Sequence, residues 1–76
     1  MEELVRTIAQ SLVDNPDAVD VRLVENDGEL VIELRVAEED MGKVIGKQGR
    51  IAKAIRSVVK AVAMRENKRV NVEILD

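Results

Sequence analysis

A chain of 76 residues has the length of one small domain, 1–76, and its 46% apolar and 36% charged residues favour a compact fold over disorder. The absence of Cys and His excludes disulfides, thiol nucleophiles, imidazole bases and the usual zinc ligands, so neither an enzyme nor a cofactor is expected. The net charge of −3 conceals an asymmetry that points to a polyanionic partner: residues 41–69 carry nine Lys or Arg and one Glu, whereas the rest carries three basic and 14 acidic residues.

The first predicted element is an amphipathic helix from Glu2 to Val13. Its apolar residues recur at three- and four-residue spacing, with polar residues on the other side: Leu4, Val5, Ile8, Ala9, Leu12 and Val13. The run Asp14-Asn15-Pro16-Asp17 ends the helix, because Pro disfavours the helical conformation in the residue before it and Asn and Asp favour turns.

Two strands joined by a tight turn are predicted next. Their apolar residues alternate with polar ones: Val19, Val21 and Leu23 in the first strand, and Leu30, Ile32, Leu34 and Val36 in the second. Asn26-Asp27-Gly28 lies between them and suits the positive φ angles of a hairpin turn. The pattern therefore predicts an antiparallel hairpin with one apolar face.

The spacing of the apolar residues then changes from the period of a strand to that of a helix, and two helices are predicted. Glu38, Glu39 and Asp40 complement the dipole of a short helix, which Gly46-Lys47-Gln48-Gly49 interrupts after about two turns. A longer helix is predicted from Gln48 or Gly49 to Glu66. Its core side is expected to contain Ile51, Ile55, Val58, Val59 and Val62, and its basic side Arg50, Lys53, Arg56 and Lys60.

A last strand completes an α-β-β-α-α-β order. Asn67 suits a left-handed helix C-cap, and Val70, Val72 and Ile74 alternate with polar residues after it. The predicted class is α+β, with three helices packed on one face of a three-stranded sheet that is mixed because the long second crossover favours parallel strands. No apolar run approaches the roughly 18 residues of a membrane span, and the acidic start is unlike a secretory signal, so a soluble cytoplasmic protein without membrane contact is expected.

A glycine-rich stretch lies at residues 42–50, GKVIGKQGR. It does not fit a Walker A loop, because Gly42 and Gly46 are one residue too close and Gln48 replaces the magnesium-binding hydroxyl. It also lacks the initial G-x-G of the dinucleotide-binding pattern G-x-G-x-x-G. Gly42 and Gly46 form G-x-x-x-G, but the neighbouring lysines exclude a membrane helix pair. The remaining motif is G-x-x-G between two helices, for which a turn that uses glycine for positive φ is the simplest explanation.

Three features favour anion binding at this loop. The inner residues Lys47 and Gln48 are donors, the loop opens a helix N-terminus, and cations flank it at Lys43, Arg50 and Lys53. Glycine without a Cβ would also let a sugar-phosphate backbone approach the main chain. Because Phe, Tyr and Trp are absent, any nucleic acid would be bound without the ring stacking of RRM and OB modules.

Residues 44–56, VIGKQGRIAKAIR, resemble the signature of the KH domain, and the element order resembles its bacterial type II arrangement. The resemblance spans the chain and is greatest to the small stand-alone bacterial KH proteins of the KhpA family. It implies that Gly46, Lys47, Gln48 and Gly49 hold phosphates, that Ile45 forms the apolar groove wall, and that Lys43, Arg50 and Lys53 are flanking contacts. Many KH domains carry a larger aliphatic residue where Ala52 stands, which implies a shallower groove floor here. Arg56 and Lys60 are interpreted as solvated charges, and Arg65, Lys68 and Arg69 remain unassigned.

The resemblance also implies a function and partners. It implies a single-stranded RNA-binding protein, an RNA chaperone linked to cell elongation and division, that forms a homodimer and pairs with a larger KH-containing RNA-binding protein. Two alternatives stay open: a dimerisation or docking module with incidental RNA contact, and a protein that binds single-stranded DNA. If about three phosphates are neutralised, the log-log dependence of affinity on salt should have a slope near −2.

Overall fold

The computed structural model describes residues 1–75 and has three strands and two helices in that range. Helix α1 spans Glu2–Leu12, and a short 3-10 turn follows at Pro16–Ala18. Strands β1 and β2 span Asp20–Asn26 and Glu29–Arg35, helix α2 spans Glu38–Arg65, and strand β3 spans Val70–Leu75.

The sheet is mixed, as predicted, with the order β1-β2-β3. Strand β1 pairs antiparallel with β2, which places Leu23 opposite Ile32, and β2 pairs parallel with β3, which places Ile32 opposite Val72. The hairpin turn uses positive φ angles at Asp27 and Gly28, of 53° and 79°. These angles match the twist of the flanking strands, so the predicted tight turn is confirmed.

Both helices cover one face of the sheet. The main core cluster takes residues from α1, all three strands and α2: Val5, Ala9, Val21, Ile32, Leu34, Ile55, Val59 and Val72. The opposite face carries alternating charged residues, with Arg22 directly across from Glu33. That opposite-charge pair suits a sheet face that stays in water. The predicted α+β architecture, with helices on one face, is confirmed.

The helix count differs from the prediction. The sequence predicted three helices, but the second and third form the single element α2. The backbone from Gly46 to Gly49 is nevertheless non-helical and kinks α2 at the predicted place. We call residues 38–45 the first arm of α2 and residues 50–65 its second arm.

The buried side of the second arm also differs from the prediction. Its buried residues are Ala52, Ile55, Val59 and Ala63, whereas Val58 is 38% exposed and was wrongly assigned to the core. These four residues recur at three- and four-residue spacing, so the side of the arm centred on Val59 faces the core. Val58 is one residue, or about 100°, away from that centre and lies at the margin of the contact.

A buried carboxylate fixes the position of the first arm. Asp40 is fully buried, and its two carboxylate oxygens accept hydrogen bonds from the backbone N–H groups of Asp14 and Asn15, each at 3.0 Å. The side-chain amide of Asn15 also donates to the Glu39 carboxylate at 3.4 Å. Because Asp40 satisfies both donors, it ties the turn after α1 to the beginning of α2.

Candidate nucleic-acid interface

The loop between the arms of α2 has an unusual backbone. Gly46 is extended, with φ −72° and ψ 174°. The next three residues are all left-handed, with φ of 51° at Lys47, 63° at Gln48 and 72° at Gly49. Consecutive left-handed residues break the right-handed helix and redirect the chain, and they present the Lys47 and Gln48 side chains at an exposed corner.

The residue types in the loop do not follow these backbone angles. Gly46 has a φ that any residue can adopt, and a Cβ added there would meet nothing within 4 Å. Lys47 and Gln48 are left-handed, which costs about 1–2 kcal/mol for each residue other than glycine. Of the two glycines in the loop, only Gly49 stands at a position where positive φ favours glycine. A plain turn therefore explains Gly49 and leaves the other three residues unexplained.

The charge around the loop is strongly positive. Residues 41–65 contain seven Lys or Arg and no Asp or Glu. Within residues 1–75, the ion-paired basic side chains are Arg6, Arg22, Lys43 and Lys68. Lys47, Arg50 and Lys53 are exposed and have no acidic partner in that range. The positive charge at the loop is thus available to an anion.

A cleft of about 250 Å³ adjoins the loop, lined by Gly42, Lys43, Gly46, Lys47, Arg50 and Ile51. It gathers four of the predicted site residues, namely Lys43, Gly46, Lys47 and Arg50. The other four, Ile45, Gln48, Gly49 and Lys53, do not line it. Gly42 was not among the predicted site residues, and it lies one helical turn before Gly46, so the same wall lacks a Cβ at both positions.

Lys43 and Ile45 lie on different sides of the first arm. They are two residues apart, which places them about 200° from one another around the helix axis. The Lys43 ammonium donates to the Asp14 carboxylate at 3.2 Å, so its charge is partly neutralised within the protein. Ile45 is 56% exposed at the end of the arm, beside the loop.

Sequence reasoning missed two residues around this site. Asp40 orients the first arm, and Asp14 pairs with Lys43. The contacts of Asp40 and Lys43 with the turn after α1 span 25 to 29 residues, so no local pattern indicated them. Ala52, the residue expected at the groove floor, is buried with Val13 and Val44 in a second small core cluster.

Residues 2–74 match the family described as "KhpA/KhpB, KH domain". The chain belongs to this KH-domain family. The predicted resemblance is therefore confirmed over almost the whole sequence. The KhpA/KhpB family is non-enzymatic, which also confirms the prediction that the chain is not an enzyme.

Several relatives of this KH domain are named RNA-binding protein KhpA. The protein of Caldanaerobacter subterraneus subsp. tengcongensis is 65% identical over 75 residues, covering 99% of this chain and 100% of the relative. That of Clostridium acetobutylicum is 64% identical with the same coverage, and that of Listeria monocytogenes is 50% identical over 76 residues, covering both chains fully.

Solved structures of Era contain a similar fold. The chain superposes on Aquifex aeolicus Era bound to GDP·AlF4⁻ with a TM-score of 0.66 and 27% identity, over 96% of this chain and 28% of the Era chain. The same values hold for Era in complex with MgGDPNP and nucleotides 1506–1542 of 16S ribosomal RNA.

No helix within residues 1–75 is both long and apolar enough to cross a bilayer. No cluster of three or more acidic side chains in that range is arranged to hold a metal ion.

Proposed function

We propose that this KH domain binds single-stranded RNA and grips the sugar-phosphate backbone with the loop Gly46–Gly49. The observation that carries the proposal is the mismatch between residue type and backbone conformation in the loop. Glycine stands at position 46, where the fold does not require it, and two donor side chains stand at positions 47 and 48, where the fold would favour glycine. An anionic chain lying against the loop explains both departures.

Each loop residue has a separate part in this grip. The missing Cβ at Gly46 leaves room for a sugar-phosphate backbone to reach the main chain. Lys47 and Gln48 donate to phosphate oxygens from the exposed corner, and the positive end of the second arm's dipole lies at the same place. The grip is independent of base identity, because phosphate contacts fix position and carry no direct sequence information.

The flanking residues contribute unequally. Arg50 and Lys53 have no acidic partner among residues 1–75 and add their full charge. Lys43 must exchange Asp14 for a phosphate, so its net contribution is smaller. Ile45 provides an exposed aliphatic surface for a base, which fits a chain without aromatic residues.

The comparisons support RNA as the ligand. Relatives that are 50% and 65% identical over their full length are named RNA-binding protein KhpA. Era, part of which shares the fold, has been solved with ribosomal RNA. The other properties implied by the resemblance stay predictions: homodimerisation, pairing with a larger KH-containing protein, an RNA-chaperone role in cell elongation and division, and a cytoplasmic location.

The decisive experiment reverses the loop's charge without changing the fold. Lys47→Asp with Gln48→Asp should abolish binding of a fluorescently labelled single-stranded RNA, measured by anisotropy, while the far-UV circular dichroism spectrum is retained. The matched control is Gln10→Asp with Arg65→Asp, at exposed positions on α1 and at the end of α2. Both pairs replace one cation and one neutral residue by two acids, so they change the net charge equally.

Three outcomes would contradict the proposal. Unchanged affinity in the loop variant would favour the docking module with incidental RNA contact. Equal losses in the loop and control variants would mean that only net charge matters. Stronger binding of a duplex than of a single strand would exclude the KH mechanism. A separate result, equal affinity for single-stranded DNA, would leave the grip intact but remove the preference for RNA.

A further inference from the structure

The first arm of α2 has little apolar anchorage. Its buried side chains are Asp40 and Val44, whereas the second arm buries four apolar side chains. Val44 packs with Val13 and Ala52 in the second small core cluster. A helix of about eight residues, the length of this arm, is about 12 Å long and is not stable by itself in water. The orientation of the first arm therefore depends on Asp40 as well as on Val44.

Four polar contacts join this arm to the turn after α1, and we call them the polar clamp. The carboxylate of Asp40 accepts hydrogen bonds from the backbone N–H groups of Asp14 and Asn15, each at 3.0 Å. The side-chain amide of Asn15 donates to Glu39 at 3.4 Å. The Lys43 ammonium donates to the Asp14 carboxylate at 3.2 Å. The last two contacts are exposed and weakened by water, so the fully buried Asp40 is the main part of the polar clamp.

The buried carboxylate and the wall of the cleft lie on nearly opposite sides of the first arm. Gly42 follows Asp40 by two residues, which places it about 200° further around the helix axis. Gly46 comes one helical turn after Gly42, and both glycines line the cleft beside the loop. Because a short helix moves as one body, a displacement at Asp40 also displaces this wall and the beginning of the loop.

We propose that Asp40 is a positioning residue for RNA binding, which holds the first arm in the orientation that presents Gly42 and Gly46 to the RNA backbone. The proposal rests on RNA binding by the loop. Asp40 is fully buried, so it does not touch the RNA and acts through the arm. When the polar clamp is loosened, the arm has to be ordered as RNA binds, and this ordering lowers the affinity. The turn after α1, which carries none of the predicted site residues, is thereby part of the RNA-binding machinery.

The first test uses the sign of a charge effect. Asp40→Asn removes one negative charge, which by electrostatics alone strengthens the binding of a polyanion. The amide keeps one acceptor oxygen but turns an NH2 group toward one of the two N–H donors, so the polar clamp loses a contact. We therefore expect Asp40→Asn to weaken the binding of a labelled single-stranded RNA about three- to tenfold, measured by anisotropy. The log-log salt slope should stay the same, because no phosphate contact is removed.

Two control variants separate positioning from charge and from stability. Glu38 is exposed on the same arm and makes no side-chain hydrogen bond or ion pair with residues 1–75, so Glu38→Gln removes the same charge and should not weaken RNA binding. Val21→Ala removes buried methyl groups from the main core on β1, a strand that carries none of the predicted site residues. This variant should have a lower Tm, but well below its unfolding transition it should bind RNA with an unchanged Kd.

A second measurement uses the free protein and a milder variant. Asn15→Ala removes the side-chain contact of the polar clamp and leaves both backbone N–H groups bonded to Asp40, so it keeps the fold even where Asp40→Asn does not. In ¹H–¹⁵N spectra recorded without RNA, the amide resonances of Gly42 and Gly46 should shift in Asn15→Ala and in folded Asp40→Asn. Val21→Ala should leave these resonances in place.

Three results would overturn the positioning role. The first is unchanged or tighter RNA binding by folded Asp40→Asn. The second is an equal loss of affinity in Val21→Ala, which would mean that Asp40 only stabilises the fold, and the third is the absence of glycine shifts in Asn15→Ala. If the original chain does not bind RNA, or if the loop variant still binds it, the proposed function itself fails. The spectra without RNA test the polar clamp in either case, so the two failures are distinguishable.

Discussion

Gly46→Ala is the substitution that best separates a requirement of the fold from a requirement of the ligand. Gly46 has φ −72° and ψ 174°, a conformation that alanine adopts without strain. A Cβ built on Gly46 meets nothing within 4 Å. The structure therefore gives no reason for glycine at this position in the free protein.

The expected change in stability follows from the unfolded chain. Gly to Ala at a compatible position stabilises a protein by about 0.4–1 kcal/mol, because the unfolded chain loses conformational freedom. For a domain of this size, 1 kcal/mol corresponds to a shift in Tm of about 4–8 °C. Gly46→Ala should thus raise Tm by about 2–8 °C, even as the methyl group obstructs the approach of a phosphate and weakens RNA binding about tenfold or more.

Gly49→Ala is the matched control within the same loop. Its φ of 72° imposes a cost of about 1–2 kcal/mol on alanine, which exceeds the gain from the unfolded state. This substitution should lower Tm by several degrees. Tm is measured by thermal unfolding followed by circular dichroism, the free energy of unfolding by urea titration, and affinity by anisotropy with labelled single-stranded RNA.

Two results would refute the reasoning. If Gly46→Ala destabilised the free protein as much as Gly49→Ala, glycine at position 46 would be a demand of the turn. If Gly46→Ala raised stability but left the Kd for RNA unchanged, no ligand would approach the main chain at this point.

Three further substitutions test neighbouring parts of the argument. Gln48→Gly should raise the free energy of unfolding by about 0.5–1 kcal/mol, because it relieves a left-handed residue, and it should weaken RNA binding through the lost donor; a loss of stability in urea would contradict the strain. Asp40→Ala should lower the free energy of unfolding by about 3 kcal/mol, since it leaves two backbone donors without their charged acceptor; a change under 1 kcal/mol would contradict the anchoring role. Asp14→Asn should free Lys43 for phosphate and make the salt slope more negative by up to about 0.7; an unchanged slope would place Lys43 outside the RNA contact.

The strands were predictable because their signal is local. Alternating apolar residues from Leu30 to Val36 and from Val70 to Ile74 indicated one buried face each, and Ile32, Leu34 and Val72 are buried accordingly. The position of the kink in α2 was predictable for a similar reason, because two closely spaced glycines interrupt a helical pattern.

The helix faces were predicted less accurately. Helical spacing of the apolar residues predicted a core side that included Val58, which is 38% exposed. In the structure the buried side of the arm includes Ala52 and Ala63 instead of Val58. Which side of a helix is buried depends on the surface against which it packs, and the sequence of the helix alone does not determine that surface.

The details of the site depend on residues that are distant in the chain. Asp40 meets the N–H of Asp14 across 26 residues, and a depression of about 360 Å³ that is lined by Lys60 and Arg69 lies between the second arm of α2 and β3. From the sequence, Lys60 is interpreted as a solvated charge and Arg69 remains unassigned. Only the packing of the second arm along the edge of β3 brings the two side chains into one depression.

The loop's sequence is a poor choice for stability alone. Its backbone angles would favour alanine at position 46 and glycine at positions 47, 48 and 49, which the chain matches only at Gly49. Taking the net cost of about 0.5–1 kcal/mol expected at Gln48 for Lys47 as well, and about 0.4–1 kcal/mol for Gly46, the three departures together cost about 1.5–3 kcal/mol. A domain of this length has roughly 4–11 kcal/mol of total stability, so the cost is a large fraction of it. Within residues 1–75, Lys47 and Gln48 make no side-chain hydrogen bond or ion pair that would offset that cost, so the compensating interaction is expected to come from outside the chain. A phosphate backbone accounts for the missing Cβ and for both donors together.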